Sequence, residues 1–66
     1  MSVDEPSALD LLFHRLNNQL GIVLANAELL EARLTDEVSR SRAGQVVASA
    51  LDALATSKEI RARLRS

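Results

Sequence analysis

The sequence predicts an all-α protein: an antiparallel helical hairpin that pairs with a second copy of itself into a four-helix bundle. Three observations carry that expectation. Apolar residues at Leu9, Phe13, Leu16, Leu20, Val23, Ala27, Leu30 and Leu34 follow one another at alternating steps of four and three without a miss. That alternation is the seam of a helix packed lengthwise on other helices. Leucine and alanine dominate the apolar residues, and only one aromatic residue, two glycines and one proline occur, a composition of helices rather than strands. Finally, 66 residues with no cysteine give a core that is marginal for a chain folding alone. Neither a disulfide framework nor a Cys/His metal cluster can reinforce it, so association of copies is the remaining common device.

Taken in order, residues 1 to about 6 read as a polar lead-in. Pro6-Ser7-Ala8-Leu9-Asp10 offers a helix start with Ser7 or Asp4 as cap, since a short side-chain oxygen satisfies an orphan N–H of the first turn. Helix one then runs from about 7 to 34, about 42 Å at roughly 1.5 Å per residue. Gly21 is its one weak residue, at about 1 kcal/mol relative to alanine; either a neighbour approaches closely there or the glycine is incidental. Leu12, Ile22, Leu24 and Leu29 widen the apolar surface beyond a two-stranded stripe, which belongs in a bundle. With two helices per chain, the other two come from a second copy.

The turn falls at about 35–37, where Thr35 can cap and Asp36 and Glu37 enter a first helical turn. Helix two spans about 38–65, with apolar positions at Val38, Ala43, Val46, Val47, Ala50, Leu51, Leu54 and Ile60. Small residues from Ala43 to Ser57 let a neighbour pack closely. Gly44 weakens its start, which places the proper beginning of the helix after Ser39. So short a connection makes the helices antiparallel neighbours. Residues 1–66 form a single domain without internal repeat.

The formal net charge of −1 excludes an electrostatic case for nucleic acid or an anionic membrane. The charge is uneven, with Asp4, Glu5 and Asp10 near the start and Lys58, Arg61, Arg63 and Arg65 near the end, a distribution that complements helix dipoles. Asp4 and Glu5 stand where a secretory signal would be basic, and no apolar run approaches the roughly 18 residues of a membrane span. The expectation is a cytoplasmic protein.

His14, the sole histidine, lies one residue off the seam, on the shoulder of helix one. Residues at i and i+4 stack along a helix face, so Asp10 and Asn18 flank the imidazole, while Gly21 and Ala25 keep the adjoining surface low. A neutral imidazole, titrating around 6.5 when unperturbed, is a nucleophile near neutral pH. An adjacent carboxylate, Asp10, can fix its tautomer and expose the far ring nitrogen; a solvated first-turn acid is the plainer role for that residue. Asn18 can orient a water or a phosphoryl oxygen. No second histidine or cysteine completes a metal site, and no Ser-His-Asp arrangement supports a nucleophilic hydrolase.

The stretch His14-Arg15-Leu16-Asn17-Asn18-Gln19-Leu20, continued by Ile22-Val23-Leu24 and Ala27-Glu28-Leu29-Leu30, resembles the phosphoacceptor box of two-component sensor histidine kinases. It is most similar to the families whose box reads His-Arg-x-x-Asn, the HWE kinases and their relatives; the pattern falls here on His14, Arg15 and Asn18. The likeness is detailed over about 11–34 and covers the hairpin in outline. It implies a dimerisation and histidine-phosphotransfer domain, a hairpin dimerising into a four-helix bundle. His14 would carry the phosphoryl group, and Asn18 would assist dephosphorylation of a response regulator docked around His14 to Ala25. Arg15, at the edge of the site, would neutralise phosphoryl charge, although a solvated arginine is an equal reading.

Two departures qualify the likeness. Arg15 stands where the commoner sensor kinases carry an acid that helps deprotonate the histidine. The 66 residues also hold no glycine-rich nucleotide loop and no room for an ATP-binding domain, so the chain is not a complete kinase. The implied partners are a second copy, a response-regulator receiver domain, and a separate kinase or ATP-binding domain. No cofactor resides in the chain, and magnesium would arrive with the regulator. Met1 leans towards a free-standing phosphotransfer protein over the phosphoacceptor part of a longer kinase. The rival class is a dimeric interaction module that binds a regulator or kinase without transferring phosphate.

Overall fold

The computed structural model describes residues 7–65, and the side chains of 7–64. Two helices, α1 (Ala8–Arg33) and α2 (Glu37–Arg65), pack against each other along their lengths. Both lie within two residues of the expected spans. Ser7 caps α1: its hydroxyl accepts a hydrogen bond from the Asp10 N–H at 3.0 Å, satisfying a donor that has no carbonyl in the preceding turn. The rival cap, Asp4, lies outside the described residues. At the other end Leu34 leaves the helix with extended angles (φ −76°, ψ 139°) while its N–H still donates to the Leu30 carbonyl. The helix therefore stops without a glycine.

The second cap differs from expectation. Asp36, not Thr35, starts α2: its carboxylate accepts from the Ser39 N–H at 2.8 Å, and its carbonyl accepts from the Arg40 N–H at 3.0 Å. Helix α2 begins one residue earlier than the turn reading placed it, which puts the stronger acceptor at the capping position. The hydrogen bonds from the Ser39 backbone and side chain favour the ionised form and hold the Asp36 carboxyl below its ordinary range. Gly44 does not delay the helix, which is continuous from Glu37.

The face that α1 turns to α2 also departs from the eight-residue apolar seam. Buried or half-buried positions on α1 are Asp10, Phe13, Asn17, Leu20, Leu24, Ala27, Glu31 and Leu34, with Gly21 at the margin. Only Phe13, Leu20, Ala27 and Leu34 belong to both sets. The other seam members, Leu9, Leu16, Val23 and Leu30, remain 48, 41, 48 and 54% exposed. One partner helix covers roughly a third of a cylinder, and the apolar surface of α1 is wider than that. On α2 the interhelical face is built from small side chains, as the sequence suggested: Ala43, Ala50 and Ser57 are its buried residues.

Of the two readings offered for Gly21, the structure shows no close approach there within the hairpin, and Gly44 is the crowded glycine. A methyl group on Gly21 would meet nothing within 4 Å, whereas one on Gly44 would lie 2.8 Å from Glu31 Oε2. Close approach therefore happens at Gly44, against the end of a flexible side chain.

Candidate functional site

The hairpin has two long flanks, and the burial pattern sorts residues between them. Along the first, Leu9, Leu16, Val23 and Leu30 recur every seven residues on α1, and Val46 and Ile60 lie on α2 with half-buried Ala53 midway between them. Val23, Ala27, Leu30, Ala43 and Val46 line one apolar groove between the helices, and Leu9, Leu12, Phe13 and Leu16 line a second depression further along. No large side chain among the described residues is fully buried. The apolar surface of this hairpin is thus mostly on its outside.

His14 occupies the opposite flank. Successive helix residues are offset by about 100°, so residues four apart advance about 40°. Asp10, His14 and Asn18 therefore fan outward from the interhelical seam rather than stacking in a straight column. Asp10 is half-buried, while His14 and Asn18 are exposed. Arg15, a quarter-turn from His14, faces outward from the hairpin and is also exposed. The histidine and asparagine of the box are thus brought together on one accessible surface, with Arg15 at its border.

Asp10 has a partner that sequence reading did not assign. Arg61 Nε donates to Asp10 Oδ1 at 3.3 Å, tying the first turn of α1 to the last turns of α2. An acid near the start of α1 and a base near the end of α2 meet because the hairpin is antiparallel. The side chains stay about a third exposed (27 and 35%), so the pair is a modest tie. The only sequence signal for it was the opposite charge of the two chain ends, which an antiparallel hairpin brings together.

Among the described residues, the buried oxygens Asn17 Oδ1 and Ser57 Oγ find no hydrogen-bond partner. Asn17 sits inside the box, three residues after His14, yet faces α2 rather than solvent. It interrupts the apolar seam one turn from the histidine. No group of His, Cys, Asp or Glu residues among the described ones could hold a metal ion, and no helix is long and apolar enough to cross a membrane. Neither a protein-family model, nor a curated protein, nor a solved structure matches the chain. The site is accordingly read from its chemistry: a two-helix hairpin with one apolar flank, and an accessible histidine–asparagine pair on the other.

Proposed function

We propose that this chain is a histidine-phosphotransfer module of two-component signalling, acting as a homodimer. The observation that carries the reading is the exposure of His14 and Asn18 on the flank facing away from the apolar stripe. Two copies joined through Leu9, Leu16, Val23 and Leu30, with Val46 and Ile60, form a four-helix bundle and leave both histidines on the outside. The resemblance of His14-Arg15-x-x-Asn18 to the phosphoacceptor box supports the same assignment.

In the reaction, a ring nitrogen of neutral His14 attacks the phosphorus of a receiver domain's aspartyl phosphate in line with the leaving oxygen. The N–P bond forms, the P–O bond to the aspartate breaks, and the carboxylate leaves. The imidazole proton passes to water. Running the steps backward returns the phosphoryl group to a receiver. Positioning and charge stabilisation supply most of the catalysis in phosphoryl transfer, so a small helical scaffold suffices. Asn18, one turn on, orients a phosphoryl oxygen or a hydrolytic water. A receiver's aspartyl phosphate or an ATP-binding kinase domain would supply the phosphate.

The test is transfer from phosphorylated receiver domains, or from a separate kinase, to the purified protein. Acid-labile phosphate on the wild type and none on His14→Ala supports the relay. A receiver that binds the dimer without any phosphate appearing replaces it with a non-catalytic interaction module.

A further inference from the structure

We infer that Lys58, on α2, is the cationic partner of the phosphoryl group carried by His14; the inference rests on the phosphotransfer reading of that histidine. The Asp10–Arg61 contact at 3.3 Å fixes the register at the open end of the hairpin. From Asp10, four residues forward along α1 reach His14. From Arg61, three residues back along α2 reach Lys58. Because the helices are antiparallel, both steps run in the same direction, about 6 Å and about 4.5 Å along the axis. Lys58 and His14 therefore stand at nearly the same height.

They also share a flank. Gly44 lies at the edge of α2 over which the Glu31 carboxylate reaches; Lys58 is two heptads further along that edge. Glu31 and Asp10 occupy the same edge of α1, three heptads apart, and His14 adjoins it. The apolar groove through Val23, Leu30 and Val46 lies on the other side of the contact. With packed helices about 8–10 Å apart, the four-carbon stem of a lysine spans the gap to a phosphoryl group on the imidazole.

Charge accounting singles out the same residue. A phosphoryl group at His14 brings negative charge within one turn of the Asp10 carboxylate. Arg61 is already engaged by Asp10, and Arg63 by Glu59 at 3.0 Å. Lys58 is exposed and makes no ion pair among the described residues. Arg15 borders the site on α1 but faces outward from the hairpin; Lys58 is the cation that α2 brings to His14's flank at the height of the imidazole.

The test uses phosphoramidate as donor, so that no receiver is needed. The imidazole nitrogen forms the N–P bond, the donor's P–N bond breaks, and nitrogen departs as ammonium with the proton the imidazole gives up. Loading of His14 and loss of the phosphohistidine are followed by phosphorus NMR for wild type, Lys58→Gln and Lys58→Arg, with His14→Ala as blank. Lys58→Gln is expected to load about three- to fivefold more slowly, the size of one partly exposed charge pair. The deficit should shrink in 1 M salt and be restored by Lys58→Arg, with the urea midpoint of unfolding unchanged throughout. Equal loading and equal phosphohistidine lifetime in wild type and Lys58→Gln at low salt overturn the inference, and transfer from receivers can then still stand. Conversely, a wild type that loads from phosphoramidate but never exchanges with a receiver removes the proposed function while the lysine comparison still reads.

Discussion

The two flanks of this hairpin are made from the same two helices, yet they carry opposite chemistry. One presents Leu9, Leu16, Val23 and Leu30 beside Val46 and Ile60, all exposed. The other presents His14 and Asn18 on α1, with Lys58 across on α2. The difference teaches which surface does which work. An apolar stripe repeating every seven residues is a surface for another helix, and its length matches a partner of the same length. On the proposed function, the flank of His14 and Asn18, which also exposes Leu11 and Leu51, would be the surface for chemistry. On that reading, this division would let one hairpin associate and react without either task blocking the other.

The sharpest way to break the comparison is to put charge on the apolar flank. Leu16→Glu is expected to abolish the dimer in analytical ultracentrifugation and to take most of the helical circular dichroism with it, because the lone hairpin has little core. His14→Ala should leave both signals at the wild-type level while abolishing phosphate uptake. A Leu16→Glu protein that stays dimeric and folded would place the partner elsewhere. Next in size is Phe13, the only large side chain among the described residues that is classed as buried (9% exposed). It lies where the interhelical face and the apolar flank meet, against Leu9, Leu12 and Leu16. Phe13→Ala should lower stability by about 3–5 kcal/mol, read from the urea midpoint. A loss below about 1 kcal/mol would mean that the cavity collapses or that the ring contributes little to either surface.

Much of the fold was legible in the sequence. The number of helices, their spans and the Ser7 cap follow from local patterns, because periodicity and capping act within a few residues. The flanks themselves were not legible. The eight-residue seam ran Leu9, Phe13, Leu16, Leu20 and onward, and the structure divides it between two surfaces. Asp10, Asn17 and Glu31 enter the interhelical face instead. Rotation of a helix about its axis is decided by the partner helix, and hydrophobicity alone cannot register an Asp10–Arg61 pair. Likewise, Thr35 and Asp36 are both good caps, and only the path of the loop selects Asp36. At the candidate site, His14, Arg15 and Asn18 were visible because they lie on one helix within one box. Arg61 and Lys58 were not singled out, because their nearness to the histidine depends on interhelical register.

A smaller change sharpens the comparison from the reactive flank. Gly21 lies two turns from His14, and a methyl group there meets nothing within 4 Å. Gly21→Ala should therefore raise stability by about 0.5–1 kcal/mol through helix propensity. The corresponding rise in melting temperature is about 4 °C or more for a domain of this size. Loading from phosphoramidate should not change. If transfer from a receiver slows while that loading holds, the glycine keeps the surface low for the partner. If both hold, the glycine is incidental to function. A fall in stability would show that a second chain occupies the space over Gly21, and would move the dimer contact to the reactive flank.

The smallest expected effect concerns Asp10, which stands between the two tasks. Its carboxylate is one turn before His14 and holds Arg61 across the hairpin at 3.3 Å. Asp10→Asn removes the charge from a pair whose side chains remain about a third exposed, so stability should fall by no more than about 0.2–1 kcal/mol, and less at high salt. The informative readout is the imidazole itself. If Asp10 orients the ring, Asp10→Asn shifts the titration of His14 followed by proton NMR and slows phosphoryl transfer, and the change outlasts 1 M salt because it is geometric. If Asp10 only ties the helices, titration and transfer stay as in the wild type, and Arg61→Gln reproduces the same small loss of stability. A third pattern is set by charge alone. Freed from its carboxylate, Arg61 would be available to an anion on His14, and Asp10→Asn would then load from phosphoramidate faster than wild type at low salt. That acceleration should be largest in the Lys58→Gln background, where Lys58 no longer competes for the phosphoryl group.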